Sequence, residues 1–344
     1  MMLNLTESSV IYVYCPAGVV TGGAELLHQL VSELNDNGRD ARIVYFGNAP
    51  REIPADYSGY NIRIADRVND APENVEVFYE GCFDMAFDNS RTQKVLWWLS
   101  VDNFYKCSVH SLAPADMFGF SRRLGFKSLF HRAKRLLHIG HHRGCAISLK
   151  KLRSLDAVNG YQSEYARDFL ERRGFGRLAP LKDFINTEHV AAFDKSLKED
   201  IVVYNPKKGI EFTRKLIAAA PDLRWVPLQG MTRAQLIDVV RRAKVYVDFG
   251  NHPGKDRLPR ECAMNGCCIM TGMRGSAAFY GDVMIDSAYK FDERTASVAD
   301  IVACIRRTLA GYDTAIDGFA GYRDMIASER EEFGSQVKDL FCRS

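Results

Sequence analysis

A chain of 344 residues, 47% hydrophobic and 26% charged, has the composition of a folded globular protein and the length for two domains. Its 46 basic and 43 acidic side chains leave a net charge of +3, which argues against a uniformly cationic nucleic-acid binder. Nine cysteines, an odd number without a CxxC pair, point to reduced thiols rather than a disulfide framework, and Cys262, Cys267 and Cys268 are expected as small buried hydrophobes.

The opening MMLNLTESSV has no basic stretch leading into a long apolar one, and nowhere do about 18 apolar residues run uninterrupted. A cytoplasmic protein without a membrane span is therefore expected. Residues 10–15 read as a strand ending at Pro16, followed by the loop AGVVTGG. In AELLHQLVSELNDNG, Leu26, Leu27, Leu30, Val31 and Leu34 recur at helical spacing, and Gly38 is the natural stop. Further strands are predicted at 41–46, 74–79 and 94–100. Ligands of open parallel sheets collect at the carboxyl ends of strands, so residues 15–25, 80–83 and 100–103 should rim one cleft.

Residues 120–143, FSRRLGFKSLFHRAKRLLHIGHHR, carry seven Arg or Lys, four His and no acid. Phe126, Leu129, Phe130, Ala133, Leu136 and Leu137 fall on one helical face, and Lys127, His131, Lys134, Arg135 and His138 on the other. This basic amphipathic pattern suits an anionic membrane surface, with an ordinary surface helix as the alternative. Few aromatics are placed for base stacking, so no nucleic-acid partner is expected.

From Leu155 the pattern is strand, turn and helix, with Ser163 as N-cap and Gly174 as stop. LAPLKDFINTEHV, residues 178–190, reads as the connection between domains. The second half repeats the rhythm: strand IVVYN and turn PKKG, helix EFTRKLIAAAP, strand WVPLQG, helix TRAQLIDVVRRA capped by Thr232, and strand KVYVDFG. Strands alternating with helices throughout predict an α/β fold of parallel sheets. The expected division is 1–184, 185–321, and a charged last helix, 322–344, free to pack back on the first domain.

The stretch HPGKDRLPRECAMNGCCIMTG, residues 252–272, follows a strand and enters a helix, where backbone N–H groups and the helix dipole favour an anion. Lys255, Arg257 and Arg260 would add cations for phosphate oxygens. Glu261, at the start of that helix, has a carboxylate suited to vicinal hydroxyls such as those of a ribose, or simply complements the helix N-terminus. Gly272, Gly275 and Ser276 should be further neighbours of the ligand. AGVVTGGAE lacks the GxGxxG spacing of a dinucleotide oxidoreductase.

GGAE at 22–25, SEYARDFL at 163–170, NPKKG at 205–209 and PRECAMNGCCIMTG at 259–272 together resemble the GT-B-fold glycosyltransferases over roughly residues 10–310. The resemblance implies two Rossmann-like domains facing across a cleft, a nucleotide-sugar donor held mainly by the C-terminal one, and an acceptor approaching from the N-terminal one. Carried onto this chain, Glu261 resembles the second Glu of the family's paired-glutamate motif, which holds the donor ribose. Lys207 or Lys208, in the turn opened by Asn205, resembles the basic residue that meets the diphosphate. Gly22 and Gly23 resemble the glycines that leave room for donor phosphate and sugar. The first Glu of the pair should stand eight residues before Glu261, where this chain has Pro253 beside His252.

Inverting members of this fold often place their base at a strand end, which makes Asp102 in WWLSVDN the first candidate and His110 and His252 the reserves. No DxD pair follows a hydrophobic strand, so transfer is expected to need no metal, and no cofactor beyond the nucleotide-sugar substrate. The expected partners are that donor and a saccharide or lipid-linked acceptor, in polysaccharide or glycolipid assembly at the inner face of a membrane. A nucleotide-sugar epimerase-like enzyme and a non-catalytic nucleotide-sugar-binding assembly partner are the alternatives.

Overall fold

The structure is a computed structural model that describes residues 3–107, 147–186 and 193–342. Two compact units emerge: Met1–Asp183 with Glu331–Ser344, and Phe184–Arg330.

The first unit is built on strands β1 (Val10–Pro16), β2 (Asp40–Phe46), β3 (Val75–Tyr79), β4 (Gln93–Trp98), β5 (Ala157–Tyr161) and β6 (Leu178–Pro180). They form one parallel sheet in the order β2-β1-β3-β4-β5-β6. Helices α1 (Gly22–Asp36), α2 (Val101–Cys107), α3 (Leu149–Arg153) and α4 (Glu164–Arg172) alternate with these strands. The central strands are apolar almost without interruption, and Ile11 to Cys15 are all buried, as both faces of a parallel sheet require. Local signals set the helix ends. Thr21 Oγ1 accepts from Ala24 N–H (3.3 Å) to start α1, Ser163 Oγ accepts from Ala166 N–H (3.1 Å) to start α4, and Gly38 and Gly174 adopt φ of +79° and +70° just beyond them. The stretch 178–190, expected only as a connection, contributes β6, which pairs with β5 at the sheet edge.

The second unit holds β7 (Glu199–Tyr204), α5 (Ile210–Ala219), β8 (Arg224–Pro227), α6 (Arg233–Arg242), β9 (Ala243–Asp248), α7 (Arg257–Met264), β10 (Cys268–Gly272), β11 (Lys290–Phe291), α8 (Val298–Ala310) and α9 (Tyr312–Ala315). Its sheet is parallel, in the order β11-β10-β9-β7-β8. Thr232 and Gln235 cap α6 reciprocally. Cys262, Cys267 and Cys268 are free and fully buried in this unit's core, the role of small apolar residues.

The last helix, α10, runs from Ala320 to Phe341. Tyr322 and Ile326 join the second unit's core, and the helix passes into the first unit at Glu331. There Gln336 Oε1 accepts from the Lys182 N–H (2.7 Å), and Phe333, Val337 and Phe341 are buried. Among the described residues no helix is long and apolar enough to cross a membrane. The basic segment 120–143 lies outside the described residues.

Both sheets reverse their winding once, between β1 and β3 in the first and between β7 and β9 in the second. Carboxyl ends of strands beside such a reversal diverge and leave a crevice, the place where open α/β sheets bind ligands.

Candidate functional site

Three turns meet at the carboxyl ends of β7, β9 and β10. Gly209 sits at φ +60°, and a Cβ there would lie 2.3 Å from the Phe249 carbonyl; a Cβ on Gly250 would lie 2.3 Å from Lys208 Cβ. The turns after β7 and β9 therefore touch at a distance only glycine allows. On the other flank Ser276 N–H donates to the His252 carbonyl (2.9 Å), His252 N–H donates to the Arg274 carbonyl (3.3 Å), and Ser276 Oγ donates to the Gly254 carbonyl (2.6 Å). Loop 249–256 is clamped from both sides.

An ion chain runs through that loop. Asp248, the last residue of β9, accepts from Tyr246 O–H and Gly250 N–H, both at 2.8 Å, and from Asn205 Nδ2 at 3.5 Å. His252 is fully buried, with Nε2 3.6 Å from Asp248 Oδ1 and Nδ1 3.7 Å from Asp256 Oδ2. Asp256 Oδ2 also meets Lys208 Nζ at 2.5 Å. Burial works against a charged imidazole, but Asp248 and then Asp256 outweigh it and hold the His252 pKa above its ordinary value. Burial likewise raises the Asp248 pKa, and His252, Tyr246 and the Gly250 N–H bring it below the usual carboxylate range. Ligand-type atoms of Asp248, His252 and Asp256 lie within 4.8 Å of one another. Each imidazole nitrogen faces its own carboxylate, and the Lys208 ammonium also stands at Asp256.

Helix α7 starts at Arg257, with Asp256 at the N-cap position. Glu261 therefore stands one turn inside the helix rather than at its start. Its carboxylate accepts from Arg233 Nη1 at 3.1 and 3.0 Å; the Glu261 side chain is 16% exposed and that of Arg233 62%. Lys255 and Arg260, expected to offer cations to phosphate, instead turn inward: Lys255 Nζ and Arg260 Nη1 each lie 2.7 Å from a carboxylate oxygen of Glu329 on α10. All three side chains are at most 2% exposed, and Arg260 Nη2 donates to the Lys255 carbonyl as well. The physical reason is proximity: α10 brings a buried carboxylate, and a buried carboxylate needs cations more than solvent-facing loops do. Arg257 is half-buried and Lys207 exposed, its backbone N–H donating to Asn205 Oδ1 (3.0 Å). A Cβ on Gly272 would lie 2.5 Å from Glu293 Oε1, whose carboxylate is paired with Arg274.

In the first unit Gly22 and Gly23 open α1 at its reversal point, and a Cβ on Gly23 would fit without a clash, its nearest atom being Leu99 Cδ1 at 4.0 Å. Asp102 lies in the first turn of α2, 1% exposed, and accepts from Tyr165 O–H at 2.8 Å. Glu80, directly after β3, is 3% exposed and accepts from Leu99 N–H at 3.1 Å. Burial pushes its pKa up to about 7, against the pull of backbone N–H groups and Asn103. His110 lies outside the described residues.

No protein-family model matches the chain, and no curated protein sequence does. Among solved structures, sucrose-phosphate synthase from Thermosynechococcus elongatus superposes with a TM-score of 0.64 at 13% identity, covering 97% of this chain and 98% of that one. HepE from Anabaena, in complex with UDP and glucose, gives 0.62 at 8% identity, covering 97% and 99%. The same protein with UDP-glucose gives 0.59 at 8% identity, covering 96% and 98%. The fold is GT-B.

Within this GT-B chain, the structure brings together Asn205, Lys208, Gly209, His252 and Gly275 around one loop, with Lys207 in the first turn and Glu261 on the following helix. Sequence reasoning missed Asp248, Asp256, Arg233 and Glu329. Asp248 had a signal, a carboxylate ending the apolar strand KVYVD, and Arg233 stood next to the recognised cap Thr232. Glu329 had none, being 69 residues from its partner Arg260.

Proposed function

We propose that the chain is a glycosyltransferase that binds a nucleotide-sugar donor at the carboxyl edge of its second sheet and transfers the sugar to a hydroxyl of a saccharide or lipid-linked acceptor. The observation that supports this most is a GT-B sheet reversal that carries the Glu261 carboxylate on the helix after β9 and the cations Lys207 and Lys208 on the turn after β7. A carboxylate accepts from the vicinal hydroxyls of a ribose, and the hydrogen bonds from Arg233 orient it for that. Ammonium groups and the N-terminus of α7 stabilise the charge that develops on the departing phosphate.

In the transfer, the acceptor oxygen bonds to the anomeric carbon, the bond to the phosphate oxygen breaks, and the nucleotide leaves with the electron pair. The hydroxyl's proton goes to a base, and Asp102 remains the first candidate, reached only if the acceptor displaces Tyr165 O–H from it. Near-wild-type turnover by Asp102→Asn would assign the proton elsewhere. The proposal contains no cofactor and no metal; activity abolished by chelator and restored by Mg²⁺ or Mn²⁺ would overturn that part. A lipid-linked acceptor fits the basic amphipathic pattern of 120–143. Anionic liposomes should then retain the wild type and lose a variant with Arg132, Lys134 and Arg135 reversed in charge.

Pro253 in place of the first paired Glu favours a second reading, a nucleotide-sugar binder that transfers nothing. A thermal-shift panel tests both, because a ligand that binds only the folded state raises the melting midpoint. UDP-glucose heads the panel, followed by GDP-, dTDP- and ADP-sugars and CMP. One nucleotide class should stabilise the wild type and lose that effect in Glu261→Ala. No shift from any of them overturns the donor site, and a shift without nucleotide release in the presence of any acceptor moves the second reading ahead.

A further inference from the structure

Lys208 is the hinge of the ion chain. Its side chain is 33% exposed while its ammonium rests on Asp256, and Asp256 in turn faces the fully buried His252. One carboxylate thus faces two groups, an ammonium able to swing toward solvent and an imidazole that is fixed. We propose that His252 is a positioning residue that takes up a proton when an anionic ligand draws Lys208 away from Asp256. The inference rests on the donor reading of these loops and adds a mechanism for how the site releases its lysine.

The geometry supplies the reason. A lysine leaving Asp256 strips a poorly exposed carboxylate of its ion pair, which is costly unless another cation replaces it. The imidazole, 3.7 Å away, is the group in place to do so. Lys208 also repels a charged His252, and its departure removes that repulsion. Other charges around the imidazole stay fixed. Asp248 at the end of β9 is tied by Tyr246, Asn205 and Gly250. Lys255 and Arg260 are turned onto Glu329, and Arg274, after β10, is paired with Glu293 and the Phe249 carbonyl. Glu293 acts on Asp248 only through its charge. His252 therefore responds to Lys208 through Asp256.

The sign follows from linkage. If binding favours the protonated imidazole, affinity is highest at low pH, falls as pH rises through the His252 range, and levels off above it. A rise of one unit in its pKa on binding corresponds to about a tenfold difference in affinity between those limits.

The test is titration calorimetry of the full chain with UDP-glucose, whose diphosphate binds no proton near neutral pH, in two buffers of different ionisation enthalpy. Wild type should take up a fraction of a proton per ligand bound, with Kd about tenfold weaker at alkaline than at acid pH. His252→Gln and the near-isosteric Asp256→Asn, each checked for an intact melting transition, should bind without proton uptake. If His252→Gln fails to fold, Asp256→Asn carries the test alone. Should another nucleotide sugar of the thermal-shift panel bind in place of UDP-glucose, it becomes the probe. Binding without uptake in wild type, or uptake that survives in Asp256→Asn, overturns this inference and leaves the donor reading standing; if no nucleotide sugar binds, both fall.

Discussion

At the carboxyl ends of β3 and β4 the first unit buries its carboxylates, whereas around β7 and β9 the second unit keeps part of its charge within reach of solvent. Glu80 and Asp102 are satisfied by their own chain, through Leu99 N–H and Tyr165 O–H. The second unit divides its charge. Lys255, Arg260 and Glu329 form an internal cluster, while Lys207, Arg233 and the Glu261 carboxylate remain accessible to differing degrees. The density of charge in residues 252–272 thus has two causes. Some of it builds the loop, and some of it is left for a ligand.

The internal cluster gives the sharpest way to break this distinction. Glu329→Gln withdraws one carboxylate from two buried cations, and removing one partner of a buried ion cluster costs about 3–5 kcal/mol. Urea unfolding should show that loss, and replacing all three residues by apolar ones of similar volume should recover most of it. A Glu329→Gln protein as stable as wild type would mean that Lys255 and Arg260 face solvent after all.

Glu80 tests the first unit through pH. Its folded pKa of about 7 lies above the ordinary 4.5, so the native state binds the extra proton. Its contribution to stability is complete below about pH 4.5, declines as pH rises between the two values, and is gone above about pH 7. Glu80→Gln does not titrate there, so its stability relative to wild type should climb across that window by up to about 3 kcal/mol and then stay flat. Unfolding free energies of both proteins at pH 5 and pH 8 measure the climb. A difference independent of pH would mean that the Glu80 carboxylate is hydrated rather than enclosed.

The order of these elements was legible in the sequence because it depends on local rules. Apolar strands, caps at Thr21, Ser163 and Thr232, and stops at Gly38 and Gly174 are all written within a few residues of where they act. Strand β6 was not legible, since three residues, Leu178–Pro180, carry no period of their own and become a strand only by pairing with β5. Within the site, the turn glycines and Glu261 were legible as positions, while the direction of Lys255 and Arg260 was not. That direction is set by Glu329, which reaches them through the fold and not along the chain. The sequence offers His252 as a reserve base, and its burial between two carboxylates is a feature of the fold that no local pattern shows.

Glycines sharpen the comparison at lower cost. Gly275 sits at φ +63°, and a Cβ there would lie 1.9 Å from the His252 carbonyl, so Gly275→Ala must move the clamped loop and lose about 2 kcal/mol or more. Gly23 has an ordinary helical backbone, and a Cβ there would make an ordinary contact with Leu99 Cδ1 at 4.0 Å, so Gly23→Ala should instead gain roughly 0.4–1 kcal/mol. Melting curves distinguish the two. If Gly23→Ala stabilises the fold while weakening binding of a sugar nucleotide, the start of α1 serves a ligand; if it stabilises without that loss, the glycine serves only the turn.

The smallest effect on the fold is expected at Lys207, and that is what makes it informative. Its side chain is exposed, and among the described residues only its backbone N–H is engaged, with Asn205, so Lys207→Met should change unfolding by less than about 0.5 kcal/mol. A cation held out in solvent beside a clamped loop does nothing for the loop, so any role must appear with the ligand. Loss of one cation near a diphosphate should raise Kd for the stabilising sugar nucleotide and flatten its dependence on salt, because screening acts on that attraction. Lys207→Met with unchanged Kd and unchanged salt slope would shift the diphosphate toward Lys208 alone, and with it the whole electrostatic attraction onto the residue whose release is coupled to His252.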